Sequence, residues 1–319
     1  MIANSECLVS ILIPCYNAAR WIEEAITSAL SQTHRNIEVI VVDDGSTDCS
    51  LEIIQSFGTQ IHWETWENRG GNATRNRLLE LSQGSWLQYL DADDYLLPPK
   101  IEQQLKVLTQ NPDVDLIYSP SIIQHHQQGK EQSSQTILPI PQPHDPWSLL
   151  ARWYLPQTGS ALWRKEAIAA VGGWQVDQPC CQEHELYLRL LQAGKKFSYC
   201  DYGGSVYRQW SESTVCKRDK GETYRRRLAI TDRLEQHLEQ TQQLTKLRQN
   251  QINQARFECA RIIWLSERHW AKQIIEDIGD RDRTFIPSGA CAPQTYRLMY
   301  RWFGFEVAEK IAAMKRQFI

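Results

Sequence analysis

Asp91-Ala92-Asp93-Asp94 puts three carboxylates within four residues. Like charges held that closely raise one another's pKa unless a cation sits among them. Hard divalent cations take oxygen ligands, and Mg²⁺ commonly keeps one or two carboxylates and fills its shell from phosphates and water. The group therefore suits binding a phosphate-bearing ligand through a metal. On its own the triplet also reads as a solvated turn. Two other polar clusters share its character: Asp43-Asp44 followed by Gly45-Ser46, and Pro14-Cys15-Tyr16-Asn17. Further along lie Arg75, with a planar guanidinium suited to phosphate, and the acid pair Glu183 and Glu185 around His184.

The elements around these clusters decide whether they meet. Apolar runs at 8–13 and 37–42 and alternation at 61–66 read as strands, as does 86–90. Apolar spacing near 3.6 predicts helices over 19–32, 51–57, 73–81 and 101–108. Strands alternating with helices at short intervals predict an α/β unit with a mostly parallel sheet over about the first 110 residues. Ligands of such sheets bind beyond the carboxyl ends of the strands. All three acidic or polar clusters follow predicted strands, so they are expected to converge. Further on, 159–163 reads as a strand, and 165–171 and 183–191 as helices.

The charge is uneven. The chain of 319 residues carries 35 Lys and Arg against 38 Asp and Glu, a net of −3. Residues 1–216 hold 15 basic and 25 acidic side chains, and residues 217–319 hold 20 and 13. The near-balance argues against a general nucleic-acid binder, and the asymmetry points to two parts, 1–216 and 217–319. Nine scattered cysteines with no CxxC pair fit reduced thiols in a cytosolic protein. No basic n-region precedes the first apolar run and Pro14 breaks it, so no signal peptide is expected. No stretch reaches the ~18 apolar residues of a membrane span.

VSILIPCYNAARWIEEAITSALSQTHRNIEVIVVDDGSTD followed by NRGGNATRNRLLELSQGSWLQYLDADD resembles the nucleotide-binding half of the family 2 glycosyltransferases, with the GT-A fold. The block order matches over 8–108, with a looser match through GSALWRKEAIAAVGGW and QEHELYLRLLQAG to about residue 208. The resemblance implies that 1–110 bind the nucleotide and 111–216 face the acceptor. It implies Pro14 and Tyr16 in the nucleobase pocket, Asp44 on the uracil N–H, Arg75 on base or diphosphate, Asp91 on the ribose, and Asp93 on a divalent metal, Mn²⁺ or Mg²⁺. It further implies an inverting transfer from a nucleotide sugar, expected to be a UDP-sugar, to a glycan or lipid-linked acceptor.

Such a transfer needs a carboxylate to take the acceptor proton. In register, Glu183 stands where the family has its base aspartate, and Gln182 stands where it has the preceding Glu. Glu185 is the alternative by type alone. Trp210 stands near a position where many relatives carry His. Among the tryptophans of the acceptor half, Trp174 is expected to face the sugar. Two rival functions share parts of this pattern: a non-catalytic nucleotide-sugar binder, and a sugar-1-phosphate nucleotidyltransferase, which the absence of a glycine-rich first loop disfavours.

The basic extension reads as long helices over 222–275 and a last helix over 294–318. Leu298, Trp302, Phe305, Ala308, Ile311 and Phe318 fall near one face, flanked by Arg297, Arg301, Lys310, Lys315 and Arg316. That pattern predicts either an interfacial amphipathic helix making peripheral membrane contact or a helix packed against another part of the chain.

Overall fold

The structure is a computed structural model and describes residues 7–125, 134–210 and 219–316. The boundary expected near residue 217, together with Phe318, lies outside the described residues. The chain divides into two compact units. The first comprises residues 1–146 and 154–218, the second 147–153 and 219–319.

The first unit is built on a seven-stranded sheet. Its strands are β1 (Val9–Cys15), β2 (Ile37–Asp43), β3 (His62–Thr65), β4 (Trp86–Tyr89), β6 (Leu116–Tyr118), β9 (Ala161–Arg164) and β10 (Phe197–Tyr199), in the order β10-β6-β9-β4-β1-β2-β3. Only β9 runs antiparallel to its neighbours. The central position of β1 explains its unbroken apolar run. Val9, Ile11, Leu12 and Ile13 are all buried, as a strand covered on both faces requires. Pro14 is tolerated because β4 pairs only with Val9–Leu12, so no neighbour on that side needs its missing N–H.

Helices α1 (Ile22–Leu30), α2 (Ser50–Ser56), α3 (Gly71–Leu81), α4 (Lys100–Leu105), α6 (Lys165–Ala170) and α7 (Gln182–Gln192) belong to the first unit. Ile22, Ala25, Ile26 and Ala29 of α1 are buried, the spacing that predicted the helix. It starts at Ile22 rather than 19, because Trp21 has φ −125° and lies outside it. The strand expected at 159–163 begins at Ala161, after a single turn of 3₁₀ helix at Thr158–Ser160.

A second sheet of β5 (Tyr95–Leu96), β7 (Ser121–His125), β8 (Ser134–Leu138) and β11 (Ser205–Gln209) has the order β5-β11-β7-β8. It was not foreseen from the sequence. Its first strand follows Asp94 directly.

Lys100 of α4 is fully buried and its amine contacts Gln88 Oε1. Burial holds its pKa well below the ordinary 10.5. Between that lowered value and 10.5 the unfolded chain binds more protons than the folded one, so stability rises with pH across the window. Lys100→Met is expected to flatten this rise in urea midpoints measured at a series of alkaline pH values. An unchanged slope would show that the buried amine is not the cause.

The second unit holds α5 (Pro146–Ala151) from its residue 147 on, α8 (Lys220–Gln240), α9 (Lys246–Ile263), α10 (Arg268–Arg281) and α11 (Gln294–Arg316). The long helices expected over 222–275 are thus three. Gln242 at φ 57° turns the chain, and the Thr245 hydroxyl accepts from Arg248 N to start α9. Phe257, Trp264, Ile274, Tyr296 and Phe305 centre the core of this unit. Gly304 has φ 77° and breaks α11 in two. The single apolar face expected there is therefore divided. Phe305 and Ala308 are buried, whereas Leu298 and Trp302 are exposed.

Candidate active site

The carboxyl ends of β1, β2 and β4 are adjacent, so the three polar clusters meet along one edge of the sheet. Asn17, at φ 48°, staples the first two together. Its N–H donates to Ser46 Oγ at 2.9 Å, and its Oδ1 accepts from Thr47 N at 2.8 Å. Beside it Tyr16 is half exposed, which excludes a core-packing role and leaves its ring open to a ligand.

Asp44 is only 3% exposed. Its carboxylate accepts from Trp66 Nε1 at 2.9 Å, Arg69 N at 2.8 Å and Gly70 N at 2.9 Å. It clamps the loop that leads into α3, and most of its acceptor capacity is used within the chain. Gly45 permits this approach. It has φ 75°, and a Cβ there would lie 2.9 Å from Asn68 N.

Arg75 of α3 is the hub. Its guanidinium donates to Asp91 Oδ1 at 2.9 Å and to Gln182 Oε1 at 2.8 Å, and reaches Asn72 Oδ1 at 3.3 Å. One planar cation thus joins the strand-end acids to the first residue of α7. Its neighbours on the same helix face position the other side of the site. Asn76 Nδ2 donates to Trp174 O and Asn76 Oδ1 accepts from Trp174 N, both at 2.8 Å. Asn72 Nδ2 donates to Gln175 O at 2.6 Å. Sequence reasoning passed over Asn72 and Asn76. Their i−3 and i+1 offsets from Arg75, four residues apart from each other, are the signal that finds them.

Trp174 does not face a sugar. It is 2% exposed and packs edge-on against Tyr89, with centroids 5.2 Å apart. The Arg75 guanidinium lies 5.1 Å from its ring centre, so the indole serves as a floor for that cation. The Gly172-Gly173 turn before it, with both glycines at positive φ, leads the indole into the core.

Glu183 sits in the first turn of α7, after Cys181 in the left-handed region at φ 57°. Burial pushes its carboxyl up, but the hydrogen bond and charge of His184, its own backbone N–H and the charge of Arg75 outweigh this, and the net shift is downward. The His184 Nδ1 to Glu183 Oε1 distance is 3.4 Å. The helix N-terminus also favours the anion. Glu183 is therefore ionised at neutral pH and partly accessible. Glu185 is not a rival. It is buried and bonded to Arg189 Nε at 2.8 Å, while Arg189 also donates to Val171 O and Gly173 O. It is consumed in holding the turn before Trp174.

The acidic triplet is split among partners. β5 pairs antiparallel with β11, which brings Arg208 and Trp210 alongside Asp94 and Asp93. Arg208 N donates to Asp94 Oδ1 at 2.9 Å and Arg208 Nη1 to Asp93 O at 3.0 Å. The Arg208 guanidinium lies between Trp21 and Tyr95, 4.7 and 4.5 Å from their ring centres. Trp210 Nε1 donates to Asp93 Oδ2 at 2.9 Å. Burial, then the charge of Asp91, pushes Asp93 up. Burial, then Asp93 and Asp91, does the same to Asp94. A cation placed among them would relieve that repulsion. Among the described residues no group of three or more His, Cys, Asp or Glu could hold a metal unaided. The donor set fits a hard cation that takes Asp93 and draws its other ligands from phosphate and water.

The description Glycosyl transferase family 2 matches residues 10–170. The chain is 43% identical over 110 residues to an uncharacterized glycosyltransferase of Rickettsia typhi, covering 34% of this chain and 35% of that protein. It is 31% identical over 188 residues to an uncharacterized glycosyltransferase of Haemophilus influenzae, covering 58% and 62%. The matched stretches thus span between about a third and just under two thirds of those relatives. In fold it is similar to S. aureus TarS 1-349, solved with UDP-GlcNAc, at TM-score 0.59 and 14% identity over 97% of this chain and 91% of that one. It is also similar to a mannosyltransferase of Pyrobaculum calidifontis, solved with GDP-Man and Mn²⁺, at TM-score 0.51 and 18% identity over 97% and 86%. At those identities the likeness concerns the fold, and it agrees with the GT-A arrangement of a mostly parallel sheet, flanking helices and a helical C-terminal region. The family match covers half of the chain and contains Pro14, Asp44, Arg75, Asp91 and Asp93, so the chain belongs to glycosyl transferase family 2.

Proposed function

We propose that this glycosyltransferase moves a sugar, with inversion, from a nucleoside-diphosphate sugar to a hydroxyl of a glycan or lipid-linked acceptor. The observation that carries this reading is Arg75, bonded at once to Asp91 and to Gln182, the residue next to Glu183. The leaving group of such a transfer is a diphosphate and the entering group a hydroxyl, so the site needs a cation on one side and a base on the other. Arg75 meets the first need. Its contact with Gln182 is to a neutral acceptor, which leaves Asp91 as its ion-pair partner. Glu183 meets the second. It accepts the acceptor proton as the oxygen attacks the anomeric carbon and the bond to the diphosphate oxygen breaks.

Asp93 would hold a divalent cation, which would supply charge neutralisation to the departing diphosphate. Asp93 would hold it with the oxygen not engaged by Trp210. Tyr16 would stack on the base beside Pro14, Asp44 would use its remaining lone pair toward the base, and Asp91 would meet the ribose. A uridine donor fits this set, and TarS, solved with UDP-GlcNAc, supports it by analogy of fold. The domain division proposed is a catalytic part over 1–216 and a basic helical extension over 217–319, working at the cytosolic face of a membrane.

The test is a screen of UDP- and GDP-sugars, with and without Mn²⁺, for heat stabilisation and then for turnover. A bound donor raises apparent stability. A UDP-sugar is expected to stabilise in the presence of Mn²⁺ and to be turned over with inverted anomeric configuration in the NMR spectrum. Retention of configuration, or tight binding with no hydrolysis or transfer, would overturn the mechanism.

A further inference from the structure

The first half of α11 has two faces. Tyr296 is buried, and Met299 and Tyr300 pack with it against the core, where Phe257 meets both tyrosines edge-on at 5.9 and 5.6 Å. That anchors the helix. The outer face carries Arg297 and Arg301, four residues apart, beside Leu298 and Trp302, also four apart. Trp302 is 75% exposed, the most exposed large apolar side chain among the described residues, and Leu298 is 50% exposed. Phe303 projects where Gly304 bends the chain and is 62% exposed.

Several cations elsewhere in the unit have carboxylate partners. Lys272 and Lys310 pair with Glu306, Arg261 with Glu309, and Arg256 with Glu235. Among the described residues, Arg297 and Arg301 meet no carboxylate. The unit also carries a basic excess, with 18 Lys and Arg against 13 Asp and Glu over residues 219–319. Folding alone gives no reason to hold an indole, a phenyl ring and two guanidinium groups in water on a helix already anchored by its other side.

We propose that the Arg297–Phe303 face of α11 docks on a membrane surface containing anionic phospholipid. The chemistry of that surface matches both stripes. Indole rings settle at the headgroup level, with Leu298 and Phe303 reaching the acyl boundary. Guanidinium groups donate paired hydrogen bonds to phosphate oxygens. An apolar groove of a protein would match Leu298, Trp302 and Phe303 but would leave the two arginines without their acceptors. The contact is peripheral, since among the described residues no helix is long and apolar enough to cross a membrane. The inference rests on this unit alone, independent of the donor and base assignments.

Co-sedimentation of the full chain with vesicles of phosphatidylcholine, alone or mixed with phosphatidylglycerol, tests it. Binding is expected to the anionic vesicles at low salt and to weaken as salt rises. The double variant Arg297→Gln/Arg301→Gln should lower partitioning to them by about 25-fold, at roughly five-fold per cation. The double variant Trp302→Ala/Phe303→Ala should lower partitioning by at least as much. These side chains are exposed, so unchanged circular dichroism melts should accompany both losses. Native chain that stays in the supernatant with anionic vesicles at low salt overturns the proposal. So does unaltered binding by the arginine variant. A dimer seen by analytical ultracentrifugation and abolished by Trp302→Ala/Phe303→Ala, without vesicle binding, would assign the face to a second copy of the chain instead.

Discussion

Glu183→Gln is expected to lower transfer by about 10²–10⁴-fold, the usual contribution of a positioned general base. The amide keeps the size and helix position of the side chain but cannot take a proton. Donor affinity measured by calorimetry should stay within about twofold, because the contacts ascribed to the donor lie on the strand ends rather than on Glu183. The pH profile carries a second signature. The Glu183 carboxyl is held below its ordinary 4.5, so it remains ionised through neutral pH. Activity dependent on it should be flat there and should fall only as pH drops through that lowered value. The Gln variant should lack that acid limb. Glu183→Asp should recover part of the rate, since it restores a carboxylate with one methylene less reach. Near-native turnover in the Gln variant would remove Glu183 from the mechanism.

Arg75→Lys should also be severe, for a different reason. Arginine makes its contacts with Asp91, Gln182 and Asn72 from one rigid plane that also lies over Trp174. A lysine ammonium is a point charge on a flexible stem and cannot meet Asp91 and Gln182 together at those distances. Loss of a group that stabilises developing charge typically costs about 10²–10³-fold in turnover. Stability should fall much less. Asp91 is about a third exposed, so solvent screens the pair and a loss of about 1 kcal/mol is expected. The diagnostic outcome is therefore a large drop in kcat with weakened UDP binding and a small shift in Tm. A Tm loss large enough to account for the missing activity would make Arg75 a structural residue.

The two variants probe the feature hardest to foresee. Gln182 looks like a weakened version of a family position, and the chain alone gives no reason for its amide. In the fold it accepts the Arg75 hydrogen bond and donates to Gln178 O at 3.2 Å. Trp210 likewise reads as a missing histidine until β5 and β11 are paired, after which its indole N–H lies on Asp93. Trp174 shows the opposite error: its place in the acceptor half suggested a sugar platform, and packing put it in the core.

The local order of the chain determined a good deal. Apolar runs and 3.6-residue spacing depend on neighbours a few positions away, so β1, β2, β4, α1 and α3 could be read directly, and with them the edge where Pro14, Asp44 and Asp91 gather. The charge imbalance and the arginines of α11 were also plain in the chain. Tertiary structure decided the rest. It spent Glu185 on Arg189, and it joined Arg75 to Gln182, 107 positions away. At Gly304 it turned one predicted amphipathic stripe into a buried half and an exposed half. Such choices rest on side chains that meet only after the backbone has folded, and pairings across that distance leave no periodic trace in the sequence.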